Sequence, residues 1–246
     1  MVEFSDVFPL VYLKIRLEGS TRYEAVKHLL VDEMQDYTAV QYAVISLLFK
    51  CKKTILGDSS QSVNPYSSSS ISVIKQVFPG ADTVELLKSY RSTYEIIHFI
   101  QRINPNSKII PIERHGDQPR IMQASDHAEE LVQINERIKQ FEESGNRTLG
   151  IICKTQAQAT QLYEELSQSH GMIHLLTFSS ERFQEGIIIT SSHMAKGLEF
   201  DHVIVPFVSE SNYNSELDRS LLYIACSRAM HALALTFHGA SCPFIS

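Results

Sequence analysis

Residues 29–36 read Leu-Leu-Val-Asp-Glu-Met-Gln-Asp, and this stretch decides the fold. An apolar run that ends abruptly in acidic residues is typical of a buried parallel strand whose carboxyl end opens into a crevice beyond the sheet. Open α/β sheets bind their ligands at that edge. The alternative is a purely structural strand, followed by a helix whose first turn carries acids that favour the helix dipole. For this stretch alone, both interpretations stay open.

The two adjacent carboxylates at the end of this strand suit phosphate chemistry. Asp32 is a candidate ligand for Mg²⁺, directly or through water, because this ion prefers hard oxygen ligands and keeps part of its hydration. Glu33 is a candidate to orient or deprotonate an attacking water.

The composition is that of an ordinary soluble globular protein, with 43% hydrophobic and 20% charged residues in a chain of 246. Apolar runs are too short for a membrane span, and the first residues lack the pattern of a signal peptide, so a cytoplasmic location without a membrane partner is expected. The four cysteines are scattered and form no metal-ligand spacing, which favours reduced thiols. A net charge of −6 argues against a protein that coats nucleic acid, although a local basic groove remains compatible with it.

Strand and helix patterns alternate along the chain, which predicts parallel α/β units. A Pro-Gly pair at residues 79–80 interrupts the pattern, and a new series of elements starts after it. We therefore predict an incomplete first lobe over residues 1–81 and a complete second lobe over residues 82–246. Strands of the second lobe are predicted at 84–87, 120–122, 149–153, 173–178, 186–190, 202–208 and 232–237, and helices at 92–102, 126–143, 155–167 and 217–230.

Three segments carry polar residues that suit a nucleotide site but also have structural explanations. Gln61, in a Ser-rich loop, would sense a terminal phosphate or be merely polar surface. Tyr90 would stack on a nucleobase, and Arg91 would neutralise charge on a transferred phosphoryl group or form a surface ion pair. Arg228, near the end of an apolar helix, would cap that helix or reach a nucleotide.

The turn at residues 190–200 joins two strongly apolar strands and contains hydroxyls, an imidazole and a lysine. Such side chains suit contacts to phosphate or ribose. The alternative is a solvated connection in which Gly197 takes a positive φ angle.

Taken in order, these segments resemble the superfamily-one helicases of the UvrD/Rep/PcrA type. The resemblance extends from about Val31 to His238 and rests on the following stretches: Val31–Asp36, Leu56–Asp58 with Gln61, Ser89–Ser92, His193 with Lys196–Phe200, and Leu222–Ala225 with Ser227–Ala229. It implies P-loop NTPase (RecA-like) parallel sheets, with ATP between the two lobes and Mg²⁺ as the cofactor. Flanking residues 9–14 and 241–244 are similar to the HelD-like branch of these proteins.

The resemblance also implies a role for each candidate residue. Asp32 would bind Mg²⁺, and Glu33 would be the catalytic base. Gln61 would couple the γ-phosphate to the DNA site. In the second lobe, the resemblance implies that Tyr90 would stack on adenine and that Arg91 and Arg228 would be arginine fingers. Glu199 would contact the ribose, and Gly197 would belong to the nucleotide site. His193, with Ser191 nearby, would contact the nucleic-acid backbone.

The chain departs from the family pattern at three places. The phosphate-cradling pattern G-x-x-x-x-G-K-[ST] does not occur in the 246 residues, so we expect a missing N-terminal P-loop region and no measurable ATP hydrolysis by this chain alone. After Gln61 the sequence has no Trp and offers only Tyr66 for stacking on single-stranded bases, which weakens the case for translocation. Between Arg91 and His193, only ordinary α/β units are predicted, without the large inserted subdomain of UvrD-type helicases.

These observations favour the C-terminal motor portion of an ATP-dependent UvrD-like DNA helicase or translocase, acting on single-stranded DNA or a duplex junction. One alternative is a HelD-like ATPase that releases RNA polymerase from nucleic acid. The other is a non-catalytic binding module left by truncation.

Overall fold

The computed structural model describes residues 3–19, 23–58, 61, 71–171, 173–180 and 185–245. The chain divides into two units, Met1–Glu85 and Leu86–Ser246. Among the described residues, none of the helices combines the length and the apolar character that a membrane span requires.

In its described residues, the first unit contains a two-stranded parallel sheet and three α-helices. Strand β1 spans His28–Val31 and pairs in register with strand β2, Lys52–Ile55. The helices are α1, Phe4–Glu18, α2, Ala39–Leu48, and α3, Ile71–Val77, and a short 3₁₀ helix covers Met34–Asp36. Helix α2 begins at a capping box, in which Thr38 and Gln41 satisfy each other's backbone N–H groups.

The core of the first unit is small and is centred on Tyr42. This side chain is fully buried together with Val31, Met34 and Ile74. Its hydroxyl donates to the carbonyl oxygen of Met34 at 2.8 Å, and burial raises the pKa of this hydroxyl. The hydrogen bond ties helix α2 to the segment that follows β1, and that segment carries the acidic residues.

The second unit contains a six-stranded parallel sheet with the strand order β5-β10-β9-β6-β8-β7. Its strands are β5, Arg120–Ala124, β6, Thr148–Cys153, β7, Ile173–Leu175, β8, Gly186–Ser191, β9, Phe200–Val205, and β10, Ala229–His238. A separate pair, β3, Lys88–Ser89, and β4, Ile110–Pro111, is also parallel. The central strands β6, β8 and β9 are almost continuously buried, as expected for a parallel sheet covered on both faces.

Four helices cover the two faces of this sheet. Helices α4, Tyr94–Ile103, and α7, Glu216–Cys226, contribute to one apolar cluster, whereas α5, His127–Ser144, and α6, Gln156–Leu166, contribute to another. Asp126, Thr155 and Ser215 cap α5, α6 and α7 through side-chain acceptors. The predicted α/β fold with parallel sheets is confirmed.

Two predicted elements are wrong in detail. Residues 84–87 form no strand, because Val84 and Leu86 are 80% and 90% exposed and pack against no sheet; the pairing begins at Lys88 instead. The helix predicted over 217–230 ends at Cys226, and strand β10 already begins at Ala229. The strand Ile110–Pro111 lies between the helix predicted at 92–102 and the strand predicted at 120–122, where no element was predicted.

Candidate nucleotide and nucleic-acid sites

The carboxyl ends of β1 and β2 hold the acidic residues of the first unit. The backbone N–H of Leu56 donates to Val31 O, and that of Met34 donates to Leu56 O, both at 2.8 Å. These two bonds continue the pairing beyond the strands and bring the turn after β1 against the turn after β2. The predicted placement of the acids at a sheet edge therefore follows from the strand pairing.

Glu33 sits on a left-handed backbone, with φ 53° and ψ 51°. For a residue other than glycine, such a conformation costs roughly 1–3 kcal/mol and is concentrated at functional sites. Its N–H donates to Asp32 Oδ1 at 2.8 Å, and its Oε2 accepts from Gln35 Nε2 at 2.5 Å. The carboxylate of Glu33 is thus held in place by a neighbouring amide.

Gln35 is the residue that the sequence patterns missed. It is completely buried, and its Oε1 accepts the N–H of Asp58 at 3.0 Å while its Nε2 holds Glu33. Asp58 Oδ2 in turn accepts from Gln61 Nε2 at 2.9 Å. A chain of hydrogen bonds therefore links the predicted base, Glu33, to the predicted phosphate sensor, Gln61.

Gly57 is required for this network because its backbone lies directly against the Gln35 amide. A Cβ atom at position 57 would lie 2.4 Å from Gln35 Oε1 and 2.5 Å from Met34 N. The Leu-Gly-Asp sequence at 56–58 therefore has a steric explanation that only the folded structure reveals.

The donor atoms at this edge fit Mg²⁺. Asp32 is exposed, and the contact with Glu33 N uses only Oδ1. Carboxylate oxygens together with water and phosphate oxygens are the ligands this ion takes in nucleotide sites. Asp32 is the residue that would hold it.

In the second unit, the structure pairs two of the predicted nucleotide residues. Arg91 Nη2 lies 2.5 Å from Glu199 Oε1, and both side chains are about 40% exposed, at 39% and 43%. Tyr90 is 69% exposed, so its ring is accessible for stacking. Ser92, which is buried, donates from Oγ to Ala229 O at 2.6 Å and anchors this segment to the start of β10.

Gly197 has a φ of 80°, in the region that favours glycine, so the structural explanation of this residue is confirmed. It precedes Glu199 in the connection from β8 to β9. The backbone freedom at Gly197 thus allows the turn that presents Glu199 to Arg91.

Arg228 is 2% exposed and lies just after helix α7. Its Nε donates to Ile224 O at 3.2 Å, and its Nη2 donates to Ser227 Oγ at 2.9 Å. A further, longer contact joins Nη1 to Leu198 O at 3.4 Å. The guanidinium caps the carboxyl end of α7, as one of the two interpretations predicted.

Ser191 and His193 lie at the carboxyl end of β8. Ser191 is buried, and its Oγ donates to Gln156 Oε1 at 3.2 Å, whereas His193 is exposed. The Gln156 Nε2 atom is buried and has no hydrogen-bond partner in the described part of the chain. The sequence patterns gave no signal for Gln156. Tyr66 lies outside the described residues.

Two family models match separate segments of the chain. The UvrD/REP helicase N-terminal domain matches residues 16–79, and the UvrD-like helicase C-terminal domain matches residues 186–236. The first segment contains Asp32, Glu33 and Gln61, and the second contains Glu199 and Arg228.

Relatives with curated names point to the same class. A putative ATP-dependent DNA helicase of Acanthamoeba polyphaga mimivirus is 29% identical over 87% of this chain and 35% of its own length. DNA helicase II of Escherichia coli is 30% identical over 59% of this chain and 22% of its length. The PcrA helicase of Leuconostoc citreum is 29% identical over 69% of this chain and 25% of its length. The chain thus spans between 22% and 35% of the length of these relatives.

A solved structure supports the fold of the larger unit. The C-terminal domain of a possible DNA helicase from Lactobacillus strain WCFS1 is 33% identical, with a TM-score of 0.56 over 64% of this chain and 92% of that domain. This likeness confirms the predicted RecA-like α/β fold. Both segments of the chain are thus similar to UvrD/REP-type DNA helicases.

Proposed function

We propose that this chain is the C-terminal motor portion of an ATP-dependent UvrD-like DNA helicase or translocase. One observation carries the proposal: a buried amide, Gln35, orients the strained Glu33 and the Asp58–Gln61 pair at a sheet edge. A purely structural turn needs neither a left-handed glutamate nor a buried amide that holds it. The names of the relatives, which are DNA helicases, support the substrate class.

In the first unit, each residue has a definite task in hydrolysis. Asp32 holds Mg²⁺, which neutralises charge on the phosphates when bound. Glu33 accepts the proton of the attacking water and is positioned for this by Gln35. Gln61 contacts the γ-phosphate side of the site, and its bond to Asp58 relays the presence of the phosphate to the backbone after β2.

In the second unit, Tyr90 stacks on the adenine, and Glu199 contacts the ribose. Arg91 rests on Glu199 in the present structure. The phosphates of ATP compete with that carboxylate for the guanidinium, so we propose that Arg91 transfers from Glu199 to the γ-phosphate as a finger. Gly197 allows the turn that positions Glu199, and Arg228 is a second arginine finger in this proposal.

The nucleic-acid side of the proposal rests on polar groups at the end of β8. Ser191 and His193 contact the DNA backbone, and Tyr66 stacks on a base. A single stacking residue contributes about 1–3 kcal/mol per base, which is a modest contribution to single-strand binding.

The experiment that tests this function supplies the P-loop, which the 246 residues do not contain. A chimera would join the P-loop segment of the Leuconostoc citreum PcrA helicase to the amino end of this chain. We expect the chain alone to show no measurable ATP hydrolysis and the chimera to hydrolyse ATP with stimulation by single-stranded DNA. Turnover by the chain alone, or a folded chimera without turnover, would contradict the proposal.

A HelD-like ATPase is the second candidate, and the absence of Trp from the chain favours it. Such an enzyme releases RNA polymerase from nucleic acid and needs less stacking on single-stranded bases than a translocase does. Duplex unwinding and polymerase release, measured side by side with the chimera, separate the two candidates. Release without unwinding favours the HelD-like function.

A further inference from the structure

Three potential metal ligands converge in the second unit, and none of them has a role in the proposed nucleotide or DNA contacts. His127 is the first residue of α5, Glu130 follows one turn later, and His238 is the last residue of β10. One ligand atom from each of them lies within 4.8 Å of the other two. The fold, and not sequence proximity, brings His238 to the other two residues.

Glu130 is a carboxylate with no solvent exposure, and hydrogen bonds fix its position. Its Oε1 accepts from Thr236 Oγ1 at 2.7 Å and from Phe207 N at 2.9 Å, where the backbone has a φ of 63°. Its Oε2 accepts from His238 Nδ1 at 2.6 Å. A buried carboxylate is costly unless it is satisfied in this way, so the site is rigid on this side.

A second carboxylate orients the other imidazole. His127 Nε2 lies 3.1 Å from Glu165 Oε2, and the rings of His127 and His238 are 6.1 Å apart between centroids. Histidines that bind metals usually donate their second ring nitrogen to a carboxylate, which fixes the tautomer and the direction of the lone pair. The described part of the chain thus provides two imidazoles, each paired with an acid.

We propose that His127, Glu130 and His238 bind a divalent transition metal ion of the zinc type. Two nitrogen ligands and one carboxylate oxygen suit Zn²⁺ or Co²⁺ better than Mg²⁺, which prefers oxygen alone. Ligand atoms on a tetrahedral ion are roughly 3.4 Å apart, so His238 Nδ1 and Glu130 Oε2, now 2.6 Å apart, must separate to admit the ion, and His127 must adjust to complete the site. The imidazoles can supply this movement because His127 and His238 are 40% and 43% exposed.

Binding replaces a proton with the ion. Where the ion takes the position of the proton between His238 Nδ1 and Glu130 Oε2, the neutral imidazole keeps its proton on Nε2. A doubly protonated ring releases one proton to solvent. No oxidation or group transfer is involved.

The test is a titration of the untagged 246-residue chain with Co²⁺, followed by visible absorption, and with Zn²⁺, followed by calorimetry. We expect one ion per chain, and roughly 10-fold to 100-fold weaker binding in Glu165→Gln, which removes only the orienting carboxylate. The double variant His127→Ala/His238→Ala should lose the Co²⁺ absorption bands. Circular dichroism and thermal melting verify that each variant is folded.

His115→Ala is the matched control, because His115 is also exposed and lies 2.8 Å from a carboxylate, that of Glu95. It should bind both ions like the original chain. Absence of binding by the original chain, or equal binding by the His127→Ala/His238→Ala variant, would overturn the proposal.

Discussion

Glu33 shows how a single side chain can be placed by one neighbour that the sequence does not reveal. Its left-handed backbone turns the carboxylate toward Gln35, and the buried amide of Gln35 then holds both Glu33 and Asp58 N. The strained backbone is stable because the surrounding hydrogen bonds determine it. A general base must lie within hydrogen-bond reach of the proton that it accepts. A carboxylate held in one orientation therefore suits the role proposed for Glu33.

We predict that Glu33→Gln in the chimera preserves ATP binding and abolishes turnover. Glutamine keeps the size of the side chain and its bond to Gln35 but cannot accept the proton of the attacking water. Binding is measured with a fluorescent ATP analogue, and turnover is measured by phosphate release. Asp36→Asn, which changes the acid at the end of the 3₁₀ helix that follows Glu33, is the control and should retain turnover. Equal turnover by Glu33→Gln and the unchanged chimera would show that Glu33 is structural.

Arg228 has a structural role as well as a proposed catalytic one. Arg228→Ala removes a buried guanidinium that donates to Ile224 O and to Ser227 Oγ, which should cost about 1–3 kcal/mol of the free energy of unfolding. As a finger, it should also contribute roughly 10³-fold or more to turnover. Chemical denaturation of the isolated chain measures the first effect, and phosphate release by the folded chimera measures the second. Loss of stability with unchanged turnover would leave Arg228 a helix cap only.

At the scale of elements, the central strands pack closely enough to forbid side chains at certain positions. Gly150 in β6 faces the ring of Phe200 at the start of β9, and a Cβ at position 150 would lie 2.6 Å from that ring. Both neighbours are buried in the sheet, so neither can move without disturbing the core.

We predict that Gly150→Ala lowers the free energy of unfolding by about 1–3 kcal/mol, the usual cost of overpacking. The matched control is Gly171→Ala, where a Cβ would meet nothing within 4 Å. Urea denaturation followed by circular dichroism compares the two variants. A smaller effect for Gly150→Ala than for Gly171→Ala would contradict the packing described here.

The sequence predicted the elements whose signal is local and failed where the signal comes from distant contacts. The helices predicted to start at residues 126 and 155 were found, because their caps, Asp126 and Thr155, bond residues only three positions along the chain. The strand at 84–87 was wrong because nothing in the sequence shows that its apolar side chains lack a partner sheet. Gln35 was missed as a positioning residue because its partner Asp58 is 23 residues away. The roles of Asp32, Tyr90, Ser191 and the other assigned residues stay predictions.

At the scale of the whole molecule, buried charges make the stability depend on pH. Burial disfavours ionisation of Asp218, but hydrogen bonds from Lys154, Asn214 N and Ser215 outweigh it and lower the pKa of this carboxyl. A carboxyl group whose pKa is lowered by folding stabilises the protein at pH values above its ordinary pKa of 3.8. This contribution is lost as the pH falls through the folded-state pKa.

We therefore predict that Asp218→Asn costs about 1–3 kcal/mol at neutral pH, the range for hydrogen bonds to charged groups. The difference from the original chain should shrink as the pH falls below about 3.8. Urea midpoints at a series of pH values measure this. Glu216→Gln is the control, because the Glu216 side chain is 80% exposed in its contact with Arg219. A pH-independent cost for Asp218→Asn would contradict the assigned charge.

The central proposal is that Arg91, in the second unit, acts in ATP hydrolysis as an arginine finger. ATP turnover by the chimera with Arg91→Ala, compared with Arg147→Ala, tests it most directly. Both arginines lie 2.5 Å from an exposed glutamate in the second unit, Glu199 for Arg91 and Glu185 for Arg147. The account predicts that Arg91→Ala lowers kcat by roughly 10³-fold or more and that Arg147→Ala leaves it unchanged. Equal turnover by the two variants would contradict it.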